Sequence, residues 1–600
     1  MPKEISLCMI VKDEERDIKR CLESVKDLVD EIILVDTGSK DKTVEIAKSY
    51  NAKIYYFKWC DDFAIARNES LKYATKDWIL IMDADDEFCM DDRIKFKELK
   101  SNLDKKYIYY FETLSYLGYE KGFDISINMN PRLFKNRYGY YYRGAVHNQL
   151  LNSKNEALSK FESIRIYHYG YINKKMIDKN KRNRNMTILE KLIKKNPENK
   201  FNYFNLGNEY CCLNKKCEAL RCYYKCYEDF KPYLGYSPKL IERIVEVNYE
   251  MRNFHKAIEF INVGLSYYPD FSDLYYLKGI ICDELGEYLS AIESFKTCIN
   301  IGSPPGFLKS IYGVEDFRSF DELSRIYIKL KDYDKAYMYS IESLKVKPDY
   351  LGPLINILNI FKEKGLSIDR IKLNIEKFFS DFPREYYFIA DLFYKEGYYD
   401  TALEYIRKLD NTKLYYKEVC VLKSNIFARI GEFDACVRLN SIYQGKLVYL
   451  KLFTNNIISL VIMKKYKTAL EELNKFNHKG LSESKSVKKC FRVYKEMVNI
   501  FMDKDVEDLS SDENDRQYTK FIIEIIEIFI INNKLQKSDR VLKLMDCIKD
   551  KYKFIEIGKL YFKYGYFDRA KDQIFKSVKM YNLIDKESVE ILKKCICANK

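Results

Sequence analysis

Over the first 120 residues, short apolar runs alternate with stretches in which apolar residues recur every three or four positions. Ile5-Ser6-Leu7-Cys8-Met9-Ile10-Val11 has the length and content of a buried strand. From Glu14 to Val29, the positions Ile18, Cys21, Leu22, Val25, Leu28 and Val29 fall on one helical face, with Asp13 placed to cap the first turn. The cycle then repeats: Glu31–Asp36 predicts a strand, Thr43–Tyr50 a helix, Lys53–Phe57 a strand, Ala64–Ala74 a helix and Trp78–Met82 a strand. Such alternation predicts parallel strands joined by right-handed crossovers, because each helix must carry the chain back to the same end of the sheet.

From about Asn199 the strand pattern vanishes and helical pairs take over. Small residues suited to a close helix crossing recur at Ala219, Ala257, Ala291, Ala336, Ala402, Ala435, Ala469 and Ala570, spaced by about 34 residues or its multiples. The longer interval between Ala291 and Ala336 carries an insertion around Pro304-Pro305-Gly306. Gly207, Gly279 and Gly558 each precede the marked Ala by twelve positions, and Gly286, Gly397 and Gly565 precede it by five. Coincident offsets of this kind predict tetratricopeptide hairpins rather than a generic helical array. The units near 351–382 and 484–550 are degenerate, and Asp503 to Asp515 reads as an exposed acidic loop.

Six hundred residues exceed what one core can organise, so two or more domains are expected. No run approaches the roughly 18 to 20 apolar residues of a membrane helix. Met1-Pro2-Lys3-Glu4 leads directly into a strand pattern without a charged-then-apolar leader, and a cytoplasmic location is expected. The 17 Cys are scattered, no Cys-x-x-Cys occurs and only four His are present, which disfavours structural zinc and fits reduced thiols. A net charge of +14 spread along helices describes a solvated surface, compatible with a peripheral membrane contact. It lacks the basic stripe with interleaved aromatics that nucleic-acid binding requires, and no P-loop motif occurs.

The chemistry concentrates where apolar strands meet acids. Trp78-Ile79-Leu80-Ile81-Met82 ends in Asp83-Ala84-Asp85-Asp86. Asp-x-Asp at the carboxyl edge of an α/β sheet, where ligands bind, can hold Mg²⁺ or Mn²⁺ and through it a diphosphate. The plain alternative is an acidic turn capping the next helix. Asp36, at the tip of the second strand before a Thr-Gly-Ser turn, is placed to accept from a uracil imide or a ribose hydroxyl. Arg67, near the start of a helix, offers a bidentate fork for a diphosphate; its alternative is an ion pair with Asp61 or Asp62.

Four blocks in order, SLCMIVKDEERDIKRCLESV, EIILVDTGSKDKT, WCDDFAIARNESL and WILIMDADDEF, resemble the family 2 glycosyltransferases of the GT-A fold. The resemblance continues through NPRLFKNRYGYYYRGAVHNQL and IRIYHYGY, covering roughly residues 3 to 195. It is strongest to the lipopolysaccharide-core β-glucosyltransferase-like branch and to the enzymes that glycosylate cysteine or serine in bacteriocin peptides. The resemblance implies that Val11 lines the base pocket, Asp36 contacts the base, Arg67 the diphosphate and Asp83 the ribose or the metal's hydration shell. It further implies that Asp85 ligates Mn²⁺ or Mg²⁺ and that His147 or His168 reaches the metal or diphosphate. One departure matters: where relatives commonly have His-Glu, this chain has His147-Asn148, so a base would come from Asp86, Asp124 or Glu112. A thiol acceptor, ionising near pH 8.5, would ease that need.

The expected architecture is therefore an α/β GT-A nucleotide-sugar-binding domain over residues 1–170, a helical bridge over 171–199 and an all-α tetratricopeptide-like superhelix over 200–600. The expected activity is inverting, metal-dependent transfer from a UDP-linked nucleotide sugar to a protein or peptide held partly by the concave repeat surface. Two competing readings are transfer to a cell-envelope glycan, and a non-catalytic repeat scaffold with a decayed transferase domain.

Overall fold

Residues 3–116, 125–154, 157–170, 179–379, 385–410, 416–442, 450–477, 485–509 and 516–597 are described by a computed structural model. Four short strands open the chain: β1 (Ile5–Val11), β2 (Glu31–Asp36), β3 (Lys53–Tyr56) and β4 (Trp78–Ile81). β1 runs parallel to both β2 and β4, and β2 parallel to β3, as strict alternation requires. The crossovers are α1 (Ile18–Val25), α2 (Thr43–Lys48) and α3 (Phe63–Lys72). α1 is shorter than its apolar pattern, and Asp13 does not cap it. Instead Asp13 takes φ 53° and accepts from the Lys40 amide at 2.7 Å, tying the loop after β1 to the loop after β2.

The sheet continues beyond the alternating region. After β5 (Asp86–Phe88) and α4 (Arg93–Ser101) come β6 (Tyr107–Tyr116), β7 (Ile125–Lys135), β8 (Tyr140–Arg143), β9 (Gln149–Asn152) and β10 (Leu158–His168). The eight-stranded order is β3-β2-β1-β4-β7-β6-β10-β5, with β8 and β9 forming a separate hairpin. β7 is antiparallel to β4 and β6, and β5 is antiparallel to β10. Leu7, Met9 and Leu80 point to one face and pack with Leu22, Val25, Phe88, Phe96 and Phe111. Cys8, Ile33, Ile79 and Ile81 point to the other, against Ala64 and Phe134. Both faces of the parallel strands are thus covered, which is why those strands read as unbroken apolar runs.

The chain divides into two compact units, Met1–Lys364 and Gly365–Lys600. The first contains the sheet and the helices α5 (Lys179–Lys195), α6 (Lys200–Cys212), α7 (Lys216–Tyr227), α8 (Ser237–Glu250), α9 (Phe254–Tyr267), α10 (Ser272–Leu285), α11 (Tyr288–Ile301), α12 (Phe317–Lys329), α13 (Tyr333–Val346) and α14 (Gly352–Glu363). Ala219, Ala257, Ala291 and Ala336 are fully buried where paired helices cross. A Cβ at Gly279 would sit 2.7 Å from the Phe295 ring, so only glycine lets α10 approach α11 this closely. The second unit is likewise all helical among its described residues, with Ala402, Ala469 and Ala570 fully buried. In the Phe433–Ile442 helix the packing point falls on Cys436, not on Ala435, which is half-buried. Of the expected acidic loop, Asp503 to Leu509 is coil and 510–515 lie outside the described residues. Among the described residues no helix is long and apolar enough to cross a membrane.

Candidate functional site

Parallel pairing sets Val11 beside Asp36 and Cys8 beside Ile81, so β1, β2 and β4 deliver their ends to one edge. Asp36 is buried, and its carboxylate accepts from the Ser39 amide at 3.1 Å and the Gly38 amide at 3.3 Å. The Val11 carbonyl accepts from the Thr37 amide and hydroxyl, each at 3.0 Å. Further ties run from the Glu14 amide to Thr43 Oγ1 (2.7 Å) and from the Glu15 amide to Asp41 (3.0 Å). The two loops flanking Val11 and Asp36 therefore brace each other.

The acid-rich turn after β4 is built around Asp86, which has no exposed surface. Its Oδ2 accepts from the Asp83 amide and from Arg132 Nη1, both at 2.8 Å, and its Oδ1 lies 2.9 Å from His168 Nδ1. Arg132, on β7, also reaches the Ile81 carbonyl (3.2 Å) and Thr113 Oγ1 (3.1 Å). His168 arrives at the end of β10, directly paired with Asp86 of β5. The Tyr169 amide donates to the Asp85 carbonyl at 3.0 Å.

Asp85, Asp86 and His168 form the group of potential metal ligands found among the described residues. With Nδ1 turned to Asp86, Nε2 is the imidazole nitrogen on the Gly170 side. A Cβ on Gly170 would lie 2.5 Å from His168 Nε2 and 2.7 Å from Asp85 Oδ2, so a carboxylate oxygen and an imidazole nitrogen converge beside a bare backbone. A carboxylate behind a histidine is the arrangement that orients a metal-ligating imidazole, and the mixed oxygen and nitrogen set suits a divalent cation such as Mn²⁺. Burial disfavours the imidazolium, but the bond to Asp86 and the charges of Asp85, Asp86 and Asp83 raise the His168 pKa to about 9. Cation and proton would compete for that ring.

Arg67 pairs with Asp83 at 2.7 Å, not with Asp61 or Asp62. Asp62 caps α3 by accepting from the Ala64 and Ile65 amides, and Asp61 accepts from the Trp59 indole. Burial works against ionisation of Asp83, yet Arg67, Arg132 and His168 hold its pKa far below the usual carboxylate range. Arg67 Nε is buried with no hydrogen-bond partner among the described residues.

The remaining candidates sit elsewhere. His147, at φ 50°, faces Glu209 of α6 at 3.6 Å and is not among the clustered ligands. Glu112 on β6 is drawn into a 2.8 Å ion pair with Lys309, and Asp124 lies outside the described residues. Asp86, with both oxygens engaged and no exposed surface, is arranged to hold His168 rather than to take a proton from an acceptor. Arg132 and Gly170 were not singled out from the sequence. Arg132 had a signal, as a lone charge between Pro131 and the apolar pair Leu133-Phe134.

A mixed sheet with carboxylates at the carboxyl edge of its parallel half, followed by helical hairpins, is the arrangement of a GT-A-type domain joined to a repeat array. Residues 6–107 match the model of glycosyl transferase family 2, and residues 272–301 and 317–350 match the tetratricopeptide repeat. The chain carries a family 2 glycosyltransferase domain followed by tetratricopeptide repeats. A TPR repeat-containing protein of Synechococcus elongatus is 34% identical over 212 residues, 34% of this chain and 51% of that protein. The SPbeta prophage-derived glycosyltransferase SunS of Bacillus subtilis is 31% identical over 237 residues, 38% of this chain and 54% of that protein. The chain thus spans about half the length of the curated relatives it matches. Among solved structures, glucosyl-3-phosphoglycerate synthase from Mycobacterium tuberculosis, in complex with Mn²⁺, UDP and phosphoglyceric acid, is 21% identical with a TM-score of 0.17. That likeness covers 19% of this chain and 43% of the synthase.

Proposed function

We propose that this protein is an inverting, metal-dependent glycosyltransferase of the cytoplasm, moving a sugar from a UDP-linked donor to a protein or peptide acceptor. The carrying observation is the convergence of Asp85 Oδ2 and His168 Nε2 beside Gly170, with Asp86 locked behind the imidazole by Arg132. Asp85 and His168 would hold Mn²⁺ or Mg²⁺, which supplies Lewis-acid neutralisation of the departing diphosphate.

The chain's own residues do the rest. Asp36 and the Val11 backbone receive the base, on loops already tied together. Arg67, with a buried Nε left over after its bond to Asp83, offers a fixed cation to the diphosphate. The base is not Asp86 on this reading, and a cysteine acceptor lessens the need for one. The free thiols among the described residues fit a reducing compartment.

The test is a panel of UDP-glucose, UDP-N-acetylglucosamine and GDP-mannose with Mn²⁺, reading released nucleoside diphosphate. Turnover should require Mn²⁺ or Mg²⁺ and disappear in Asp85→Ala. Absence of turnover with every donor would reject the enzyme reading, and transfer to lipid-linked glycan rather than peptide would reject the acceptor class.

A further inference from the structure

β7 is flanked by β4 only over Leu133–Lys135, and its opposite end has no strand on that side among the described residues. The segment 302–316 between α11 and α12 covers it. Ser126 and Ile311 form an antiparallel bridge, the Ile127 amide donates to the Ser310 carbonyl at 2.7 Å, and the Tyr312 amide reaches the Ile125 carbonyl at 3.4 Å. Lys309 pairs with Glu112 of β6, with both side chains largely buried. Gly306 lies flat against Phe161 of β10, where a Cβ would fall 2.9 Å from the Phe161 Cβ.

The same few residues hold the helices. Ser310 Oγ donates to Glu242 of α8 at 2.6 Å and accepts from Lys239. The Ile311 amide donates to Asp273 of α10 at 2.5 Å, and Arg318 of α12 donates to the Tyr312 carbonyl at 2.7 Å. Leu308 and Val314 are buried in the helical cores on either side. One short segment thus presents one flank to β6, β7 and β10 and the other to α8, α10 and α12.

We propose that segment 302–316 is a positioning element for transfer: it fixes α8, α10 and α12 onto the β6–β7–β10 half of the sheet, so that an acceptor on the repeats meets the sugar in one register. This rests on the glycosyltransferase reading above, in which Asp36 and Val11 receive the base at the ends of β2 and β1, together with the expectation that the repeats hold part of the acceptor. Lys309, Ser310 and Ile311 act through the helices they hold and are positioning residues.

The test combines amide hydrogen exchange with two activities, using the full chain, Mn²⁺ and the donor selected from the panel above. The acceptor probe is a library of 15-residue peptides centred on Cys, Ser or Thr. In the wild type the amides of Ile127, Ile311 and Tyr312 should be protected. Lys309→Glu, which sets two acids face to face, should speed their exchange at least tenfold and lower peptide kcat/KM at least tenfold. Donor hydrolysis should stay unchanged. The swapped pair Lys309→Glu with Glu112→Lys should restore both protection and peptide transfer, an outcome that general misfolding does not give. Unprotected amides in the wild type would overturn the proposal, as would faster exchange in Lys309→Glu with peptide transfer intact. A wild type that hydrolyses donors but modifies no peptide removes this role together with the acceptor class. A wild type that hydrolyses no donor strikes the enzyme reading itself, while the exchange data still report whether the segment is docked.

Discussion

Arg67 Nη2 lies 2.7 Å from Asp83 Oδ1, so the group expected at the diphosphate and the one expected at the ribose or the metal's hydration shell are paired with each other. Pairing holds the guanidinium ready while keeping the first acid of Asp-x-Asp ionised. Arg67→Ala should raise the Kd for UDP at least tenfold, read by titration calorimetry in the presence of Mn²⁺. Asp83→Asn should cost about 1.5–3 kcal/mol of stability, the usual range for a hydrogen bond to a charged group, read by thermal melting.

Gly170→Ala tests the metal site with the smallest change available. A methyl would crowd His168 Nε2 and Asp85 Oδ2, so one of the two must turn aside. Mn²⁺ affinity should fall on the order of 10- to 100-fold by calorimetry, the range seen when support of a ligand is disturbed. The melting temperature should move by no more than a few degrees. Unaltered Mn²⁺ binding would mean that these two atoms are not the ligands.

Arg132→Met leaves Asp86 buried beside His168 without its guanidinium. Breaking a buried pair by removing one partner typically costs about 3–5 kcal/mol. Arg132→Lys should recover part of the stability but not the triple attachment to Asp86, Ile81 and Thr113, because an ammonium lacks the planar fork. Mn²⁺ affinity of the lysine variant should therefore stay below that of the wild type.

Glu209 gives a pH signature. Burial opposes its charge, but His147, Asn185 and Arg182 bring its pKa down to about 2. A carboxylate depressed in the folded state contributes stability above its ordinary pKa of 4.5, and that contribution is lost as pH falls toward 2. The difference is on the order of 3 kcal/mol. Glu209→Gln should melt lower at pH 7, while at pH 2.5 the gap to the wild type should shrink.

The parallel half of the sheet was legible because both of its faces are covered: buried strands show as apolar runs, and Asp36 and the Asp83–Asp86 turn stand out where those runs stop. Repeat helices were legible from spacing, since Ala257, Ala291 and Ala336 must be small where helices cross. Helix ends were less so. The apolar face from Ile18 continues through Leu28 and Val29, which are packed beyond the helix rather than within it. What local pattern does not carry is pairing across distance. Arg132 meets Asp86, His147 meets Glu209 and Glu112 meets Lys309 only once the chain has folded, so Glu112 looked available as a base when its partner was far away.

That last partnership spans 197 residues. At roughly 5–20 residues per second, a ribosome needs about ten to forty seconds to pass from Glu112 to Lys309. For most of that interval, once Ile125–Lys135 has been made, the far end of β7 lacks the segment that covers it and is a strand edge of the kind that invites pairing with another chain. The nascent domain therefore waits, exposed to chaperones and to misassembly, for a piece of itself that is encoded inside the repeats.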